Sequence, residues 1–203
     1  MTNWSPSNAQ AYREYAGRRE MTLEERLAEE RILFLWGEIG SSLAGGLIMR
    51  LLELQSKNPD RDIHLYINSP GGSVDDTLAI YDTIGFLNCD VCTYCVGQAA
   101  SGAAMILASG TAGKRYALPH SKIMIHQPWG GVTGQASDIQ IQAEEILRAK
   151  RMLNELLAKH TGKSVEQIEK DTERDRYLTP EEALEYGIVD MIVENTDQTS
   201  KKG

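Results

Sequence analysis

Short apolar runs alternate with amphipathic segments along most of this chain, and this alternation constrains its fold more than any other feature. Four runs are short and apolar enough to be buried strands, and they lie at residues 32–36, 63–67, 91–96 and 122–126. Segments with helical periodicity lie between them, at residues 43–54, 74–87 and 101–109. Strands that alternate with helices are typical of α/β domains with mostly parallel pairing. The sequence therefore predicts an α/β fold.

The two ends of the chain lack this periodicity. Residues 1–30 are rich in polar and charged side chains, which predicts an N-terminal arm with a short helix beginning near Thr22. The polar residues 196–203 predict a disordered tail. We therefore expect one ordered domain over residues 31–195, in keeping with a chain of 203 residues.

The charge balance excludes several classes of partner. The chain carries 21 Lys and Arg against 29 Asp and Glu, a formal net charge of 21 − 29 = −8. An acidic chain without a basic block is poorly suited to coating nucleic acid or an anionic membrane surface. No apolar run reaches the roughly 18 residues of a membrane span, and no signal-peptide pattern occurs near the N-terminus. We expect a cytoplasmic protein that binds neither nucleic acid nor membrane.

One predicted helix is long for a domain of this size. Ser137 and Gln140 form a capping-box pattern that predicts its start, and Gly162 is typical of a helix end. Apolar residues recur between them at spacings of three, four and seven. A helix of roughly 24 residues spans about 36 Å. The pattern leaves two interpretations open: part of the apolar stripe contacts a partner, or the helix lies along one face of the domain.

Three cysteines lie close together, and their spacing invites a metal-binding interpretation. Cys89, Cys92 and Cys95 follow a C-x2-C-x2-C pattern, but the chain has no fourth cysteine. Cys92 and Cys95 also fall in a predicted buried strand, where side chains three residues apart point to opposite faces. We therefore expect reduced packing cysteines and no metal site.

Two glycine-rich turns could position backbone N–H groups near a ligand. In the turn at residues 68–73 the adjacent Gly71 and Gly72 let a ligand approach the backbone closely. No Gly-Lys-Ser/Thr pattern follows this turn, which excludes a phosphate-binding P-loop. At residues 97–104 small residues flank Ser101 where a predicted strand turns into a helix. This setting suits an exposed nucleophile. The alternative is that Ser101 is an ordinary helix N-cap.

A histidine and an aspartate could complete a catalytic group with Ser101. His126 ends an apolar strand and precedes a turn, whereas His160 closes the long helix, where a cation would be favourable. Asp175 lies between Arg174 and Arg176, which would keep it ionised. A turn-exposed serine, a strand-end histidine, a flanked aspartate and a Gly-Gly turn together fit an acyl-transfer triad with an oxyanion hole.

Six segments of the chain also resemble a known family. The segments are Ile67–Gly72, Gly97–Ser101, Met124–Pro128, Gly134–Asp138, Asp171–Asp175 and Glu182–Gly187. In this order and spacing they resemble the proteolytic subunits of Clp proteases, the ClpP family, and the likeness runs from about residue 23 to residue 194. The resemblance implies a crotonase-like (ClpP-type) α/β fold of repeated β-β-α units with a protruding handle helix, and it implies a serine endopeptidase.

The resemblance also implies a role for each candidate residue of the site. Ser101 matches the family's nucleophile, His126 its general base and Asp175 the acid that orients the histidine. The backbone N–H groups of Gly72 and Gly102 match the oxyanion hole.

Further positions that match the family concern substrate and assembly. They are Val132, Thr133, Gly134 and Gln135 for binding the substrate as an added strand, Arg174 for contact between rings, and Tyr66, Phe86 and Tyr94 for docking of a partner. The implied assembly is two stacked heptamers joined through the handle helix, either homomeric or mixed with a paralogue. The implied partner is an AAA+ unfoldase of the ClpX, ClpA or ClpC type that binds ATP and delivers unfolded polypeptides. We expect no cofactor in this chain, which has no Walker motif.

The sequence departs from the family pattern in two places. Gly102 stands where Met usually follows the nucleophile, from which we expect a wider specificity pocket, and residues 12–21 lack the usual apolar start of the axial loop. The second departure leaves docking of the unfoldase open.

Two alternative functions are a crotonase-type acyl-CoA enzyme and a ring-forming paralogue without catalysis. The joint presence of Ser101, His126 and Asp175 counts against both.

Overall fold

A seven-stranded, largely parallel sheet runs through the described residues, as the alternation of strands and helices predicts. The computed structural model describes residues 21–131 and 133–199. The strands are β1 (Ile32–Trp36), β2 (Ile63–Ser69), β3 (Val91–Ala100), β4 (Arg115–Ala117), β5 (Lys122–Ile125), β6 (Arg176–Leu178) and β7 (Met191–Ile192). The helices are α1 (Leu23–Glu29), α2 (Ser41–Lys57), α3 (Val74–Phe86), α4 (Gly102–Ala108), α5 (Ala136–Thr161), α6 (Val165–Asp171) and α7 (Pro180–Tyr186).

The strand order brings the ends of two strands together. Strands β1, β2, β3, β4 and β7 follow one another in parallel. Strand β3 is longer than predicted and has two successive neighbours: Thr93–Cys95 pair with β4, whereas Gln98–Ala100 pair in parallel with β5. Gly97, with a φ of 82°, lies between the two pairings. Strand β6 runs antiparallel to β5. The carboxyl ends of β3 and β5 therefore lie side by side.

The three cysteines lie in the packed interior. Cys89 and Cys95 belong to the main apolar core, whereas Cys92 packs with Tyr94 and Tyr116 in a separate cluster. The prediction that Cys92 and Cys95 point to opposite faces of the strand is therefore confirmed, and all three thiols are free and buried. Burial raises the pKa of Cys92 to about 12 and that of Cys95 to about 11. Both thiols consequently stay protonated at neutral pH.

A buried arginine ties the sheet to the end of the long helix. Nε and Nη2 of Arg115 donate to the two carboxylate oxygens of Asp190, at 2.8 and 2.6 Å. Its Nη1 donates to the carbonyls of His160 and Gly187, at 3.1 and 2.9 Å. Burial alone would raise the pKa of Asp190, but the hydrogen bonds and charge of Arg115, with the N–H of Gly113, hold it below its usual value.

Helix α5 is the predicted long helix, with a different start. It has 26 residues, a length of about 39 Å. Its N-cap is Gln135, which makes no side-chain capping bond, so the predicted capping box at Ser137 is wrong. Gly162 ends the helix in the left-handed conformation, as predicted. The later part of α5 packs into the core through Leu157, whereas the earlier part exposes Ile139, Ile141 and Leu147. The later part of the helix thus lies along one face of the domain, whereas the exposed apolar residues of the earlier part are compatible with contact to a partner.

One expectation at the end of the long helix was wrong. His160 is not a cation at the helix end, because burial lowers its pKa to about 4, and its Nε2 lies 2.6 Å from the Tyr81 hydroxyl. Thr196–Gln198, within the expected disordered tail, form a 3-10 turn. Residues 1–20 and 200–203, which hold most of the predicted arm and half of the tail, lie outside the described residues.

In the part of the chain that is described, every helix is too short or too polar to cross a membrane.

Replacing Asp190 by Asn tests the buried ion pair. We expect the free energy of unfolding at pH 7 to fall by about 3 kcal/mol, since the change strands the Arg115 charge. The folded-state pKa of Asp190 is lowered, so the carboxylate stabilises the fold above about pH 4 and this contribution is lost as pH falls through the folded-state value. Urea unfolding between pH 7 and pH 2 measures the difference, which should shrink at the acid end.

The matched control for this measurement is Asp60→Asn, which changes an exposed carboxylate. We expect it to shift the free energy of unfolding by less than about 0.5 kcal/mol at any pH. A loss in Asp190→Asn that stays constant from pH 7 to pH 2 would contradict the assigned pair.

Candidate active site

Three side chains meet beyond the carboxyl ends of β3 and β5. Oγ of Ser101 lies 2.8 Å from Nε2 of His126, and Nδ1 of His126 lies 3.1 Å from Oδ1 of Asp175. The carboxylate can only accept, so Nδ1 carries the proton and Nε2 is free to accept from the serine hydroxyl. The structure thus joins the three residues that the sequence singled out into one hydrogen-bonded chain.

Ser101 is held in a sharp turn between β3 and α4. Its φ of 56° and ψ of −124° lie in a region that residues other than glycine rarely adopt. Its backbone N–H donates to the carbonyl of Met124 at 2.8 Å, while its side chain makes no capping bond to α4. The alternative of an ordinary N-cap is therefore wrong. A serine at a strained strand–turn–helix junction presents its hydroxyl as a nucleophile elbow does.

The register of β5 and β6 places His126 beside Asp175. Ile125 pairs with Arg176, so the next residue after β5 and the residue before β6 face each other across the antiparallel ladder. Two further bonds hold the loop that carries the aspartate: the N–H of Gln127 donates to the Thr172 carbonyl at 2.7 Å, and its side-chain amide donates to the Glu173 carbonyl at 3.0 Å. Backbone pairing therefore positions the acid against the base.

The two arginines beside Asp175 do not both act on it. Arg176 forms an ion pair with Asp171, and its guanidinium lies 5.1 Å from the ring centre of Tyr186. Of the two flanking cations, Arg176 is therefore paired with another carboxylate and not with Asp175. Arg174 is exposed and makes no ion pair with any residue in 21–131 or 133–199. Its side chain is therefore free for a contact outside this chain.

Two glycines approach the nucleophile closely. Gly72 has a φ of 157°, and a Cβ there would overlap the carbonyl of Ile39. Its N–H donates to no acceptor among the described residues. Gly102 is the first residue of α4, so its N–H has no acceptor within the helix. Both glycines line the same cavity as Ser101, which leaves two backbone donors available beside its hydroxyl.

The cavity beside Ser101 is mostly apolar and opens to solvent. The empty space at this site amounts to about 520 Å³ when the open solvent at the mouth is counted. Strand, helix and loop residues all contribute to it, and the apolar lining consists of Val74, Met105, Ile125, Pro128, Leu153 and Leu157. A cavity of this composition next to a serine hydroxyl can hold the side chain of a substrate while the serine attacks the adjoining carbonyl.

Thr77 occupies the space beside Gly102. A Cβ at Gly102 would overlap the Thr77 side chain, which is fully buried and donates to the carbonyl of Ser73 at 2.8 Å. The expected widening of the pocket through loss of the usual methionine is therefore wrong at this point, since Thr77 fills the space. No single-residue pattern in the sequence links Thr77 to the site.

The remaining predicted positions differ in accessibility. Val132 lies outside the described residues, whereas Thr133, Gly134 and Gln135 lie exposed ahead of α5. Among the predicted docking residues, Phe86 is 75% exposed, Tyr66 is half-buried and Tyr94 is only 3% exposed. Their roles stay predictions, and Tyr94 offers no free surface for direct contact.

A row of stacked aromatic rings accounts for the burial of Tyr94. Its ring stacks on Tyr66 at 4.5 Å and on Tyr116 at 4.8 Å. Sequence reasoning missed Phe34, which continues the row 5.8 Å beyond Tyr66, and its neighbour Trp36. Both are exposed at alternate positions of β1, which is the period-2 signal that could have found them.

The fold and the Ser–His–Asp chain are of the kind found in serine hydrolases. The Clp protease family model matches residues 15–196. ATP-dependent Clp protease proteolytic subunit 1 of Rhodopirellula baltica is 56% identical over 190 residues, which cover 94% of this chain and 84% of that relative. The chain therefore belongs to the Clp protease family. The family resemblance, the ClpP-type α/β fold and the peptidase class of enzyme are thereby confirmed.

The contact between Thr77 and position 102 generates a test. We expect Gly102→Ala alone to lower peptidase activity and to destabilise the fold by about 1–3 kcal/mol, because the new methyl group overpacks against Thr77. Thr77→Ala removes the two closest atoms, so the double variant should recover part of both losses. Thermal unfolding and peptide hydrolysis of the four proteins complete a double-mutant cycle. Strictly additive effects would show that the two positions do not contact each other.

Proposed function

We propose that this chain is the catalytic subunit of a compartmentalised protease and cleaves unfolded polypeptides to short peptides with a Ser101–His126–Asp175 triad. The observation that carries the proposal is the pair of hydrogen bonds from Ser101 to His126 and from His126 to Asp175, at 2.8 and 3.1 Å. Membership of the Clp protease family supports the same reaction.

The geometry supports a two-step acyl transfer. Oγ of Ser101 attacks the carbonyl carbon as its proton passes to Nε2 of His126, while Nδ1 stays bonded to Asp175. The N–H groups of Gly72 and Gly102 stabilise the negative charge that develops on the carbonyl oxygen. His126 then gives its proton to the leaving amine, and the carbon–nitrogen bond breaks. Water repeats the sequence on the acyl-serine, which releases the acid and restores the hydroxyl.

The exposed part of α5 supports an assembly with further copies of this chain. Ile139, Ile141 and Leu147 are exposed on a helix whose later part is packed, which is unusual for a face that stays in water. We propose that this part of α5 is the handle between two stacked heptamers, homomeric or mixed with a paralogue. Arg174, which has no ion-pair partner among the described residues, would contact the opposite ring.

A partner would supply the energy for unfolding. We propose that a Clp-family AAA+ unfoldase of the ClpX, ClpA or ClpC type binds the ATP, delivers the substrate in the cytoplasm, and docks near Phe86 and Tyr66. The peptidase step itself requires no cofactor or metal, because hydroxyl, imidazole and carboxylate supply the nucleophile and the proton transfers. Residues Thr133, Gly134 and Gln135, with Val132, would hold the substrate as an added strand.

The two alternative functions fit the site less well. A crotonase-type acyl-CoA enzyme needs the glycine N–H donors but has no use for a serine bonded to a histidine. A ring-forming paralogue without catalysis has no reason to keep the strained backbone at Ser101. The hydrogen-bonded chain of three side chains counts against both.

Ser101→Ala tests the proposed nucleophile. We expect hydrolysis of short fluorogenic peptides to fall by at least about 10³-fold, since the triad acts as a unit. Labelling by a fluorophosphonate should also be lost, whereas Ser109→Ala, which changes the serine at the other end of α4, should leave both unchanged. Mass spectrometry of the labelled peptide identifies the modified residue. Labelling at another residue, or none in an intact assembled protein, would overturn the assignment.

Ile141→Asp tests the proposed assembly. Ile141 is 65% exposed in the single chain, and a carboxylate there would be desolvated in an apolar contact between rings. We expect native mass spectrometry to show particles of half the wild-type mass, with Ile141→Leu keeping the full mass. A wild-type protein that is monomeric at ordinary ionic strength would contradict the handle assignment.

A further inference from the structure

The cavity beside Ser101 contains polar side chains whose hydrogen-bonding capacity is unequal. Apart from Ser101 and His126, the polar side chains that line it are Thr77, Thr172 and Asn154. The hydroxyl of Thr77 donates to the Ser73 carbonyl at 2.8 Å, and the hydroxyl of Thr172 donates to the Ile168 carbonyl at 2.8 Å. Each hydroxyl has one proton, so neither threonine has a donor left for a ligand.

Asn154 is the exception. It lies on α5 between two of the apolar lining residues and is only 5% exposed. Its Oδ1 lies 3.4 Å from the Thr172 hydroxyl, a long contact to a group whose proton is already committed, and its amide nitrogen donates to no residue in the described part of the chain. Among the described residues no side-chain nitrogen or oxygen is both fully buried and unpartnered, so the nitrogen of Asn154 is within reach of a ligand. The accessible remainder of Asn154 faces the cavity, so a ligand there could supply the missing partner.

Apart from Asn154 and the catalytic residues, no side chain among those that line the cavity offers a free donor to a ligand. Among the described residues, no Asp, Glu, Lys or Arg lines it, so a charged side chain would enter without a counter-charge. The walls are apolar, and Leu153 and Leu157 flank Asn154 on the same helix. The site therefore combines an apolar channel with a single neutral amide.

We propose that Asn154 determines specificity for the substrate residue whose carbonyl Ser101 attacks, the acyl-side residue. This inference rests on the proposed peptidase function. Asn154 favours a long side chain with an apolar stem and a neutral polar tip, of which glutamine is the best match. The glutamine amide both donates and accepts, so it pairs with the Asn154 amide in either orientation of that group. Glutamate has the same shape but brings an uncompensated charge.

Peptides that differ only in the acyl-side residue test the wild-type protein directly. The set is Gln, Glu and Leu in one fluorogenic sequence, and kcat/KM is the quantity measured. We expect Gln to be cleaved within about tenfold of Leu, and Glu at least about 100-fold more slowly than Gln, because only Glu buries a charge. If Gln is cleaved as slowly as Glu, the proposal is wrong.

Asn154→Leu tests the residue itself, with a side chain of similar size. We expect the ratio of kcat/KM for Gln to that for Leu to fall by about tenfold, the effect of losing one hydrogen bond in a closed site. Met152→Leu, on the exposed side of the same helix, is the matched control and should leave this ratio unchanged. A change of less than twofold in Asn154→Leu would overturn the assignment.

Fluorophosphonate labelling separates this inference from the proposed function. If wild-type Ser101 is not labelled, the peptidase proposal fails and the inference fails with it. If Ser101 is labelled in both the wild type and Asn154→Leu while the ratio stays constant, only the role of Asn154 fails. Should Asn154→Leu not fold, the wild-type comparison of Gln with Glu still decides the matter.

Discussion

The pairing of β5 with a neighbour on each side is the constraint on which the candidate site depends. On one side, Gln98–Ala100 pair in parallel with β5 and the N–H of Ser101 adds a last bond to Met124, and on the other side the antiparallel ladder places Ile125 opposite Arg176. His126 and Asp175 are the next residues along these two strands. Backbone hydrogen bonds therefore bring the three functional groups together independently of the bonds between their side chains. Asp175 is exposed, so its hydrogen bond with His126 adds little stability of its own, and the sheet sets the geometry of this bond.

Close packing around Ser101 follows from the same arrangement. A Cβ at Gly71 would lie 2.7 Å from both the Ala100 carbonyl and the Ser101 Cβ, so only glycine lets this turn approach the end of β3. The next residue, Gly72, bridges to Ile39 and leaves its N–H unused. Steric demand and chemistry thus coincide at Gly72, where a Cβ would overlap Ile39 and the N–H has no acceptor among the described residues. The N–H of Ser101 donates to the carbonyl of Met124 on β5, and this bond helps to hold the strained backbone. The conformation of Ser101 therefore also depends on β5.

The sequence allowed most of the fold and the three central residues to be predicted, because both depend on local patterns. Apolar runs marked β1, β2, β3 and β5, and the junction around Ser101 had a recognisable composition. The errors concern partners that a linear pattern cannot reveal. Arg176 pairs with Asp171 rather than Asp175, and His160 is neutral because the fold buries it against Tyr81. The role of Asn154 was invisible for the same reason: on a helix pattern it is one polar residue, and only packing shows it in the cavity.

Helix α5 combines an exposed apolar surface with one wall of the cavity beside Ser101. Its earlier part exposes apolar side chains, whereas Leu153, Asn154 and Leu157 in its later part form one wall of the cavity beside Ser101. An uninterrupted helix of 26 residues transmits a tilt at one end to the other, because its backbone bonds resist bending. Lys150, between the two parts, lies 3.5 Å from Glu173 in the loop that carries Asp175. The proposed contact between rings and the wall of the cavity therefore belong to one helix, and Lys150 links that helix to the loop of the acid.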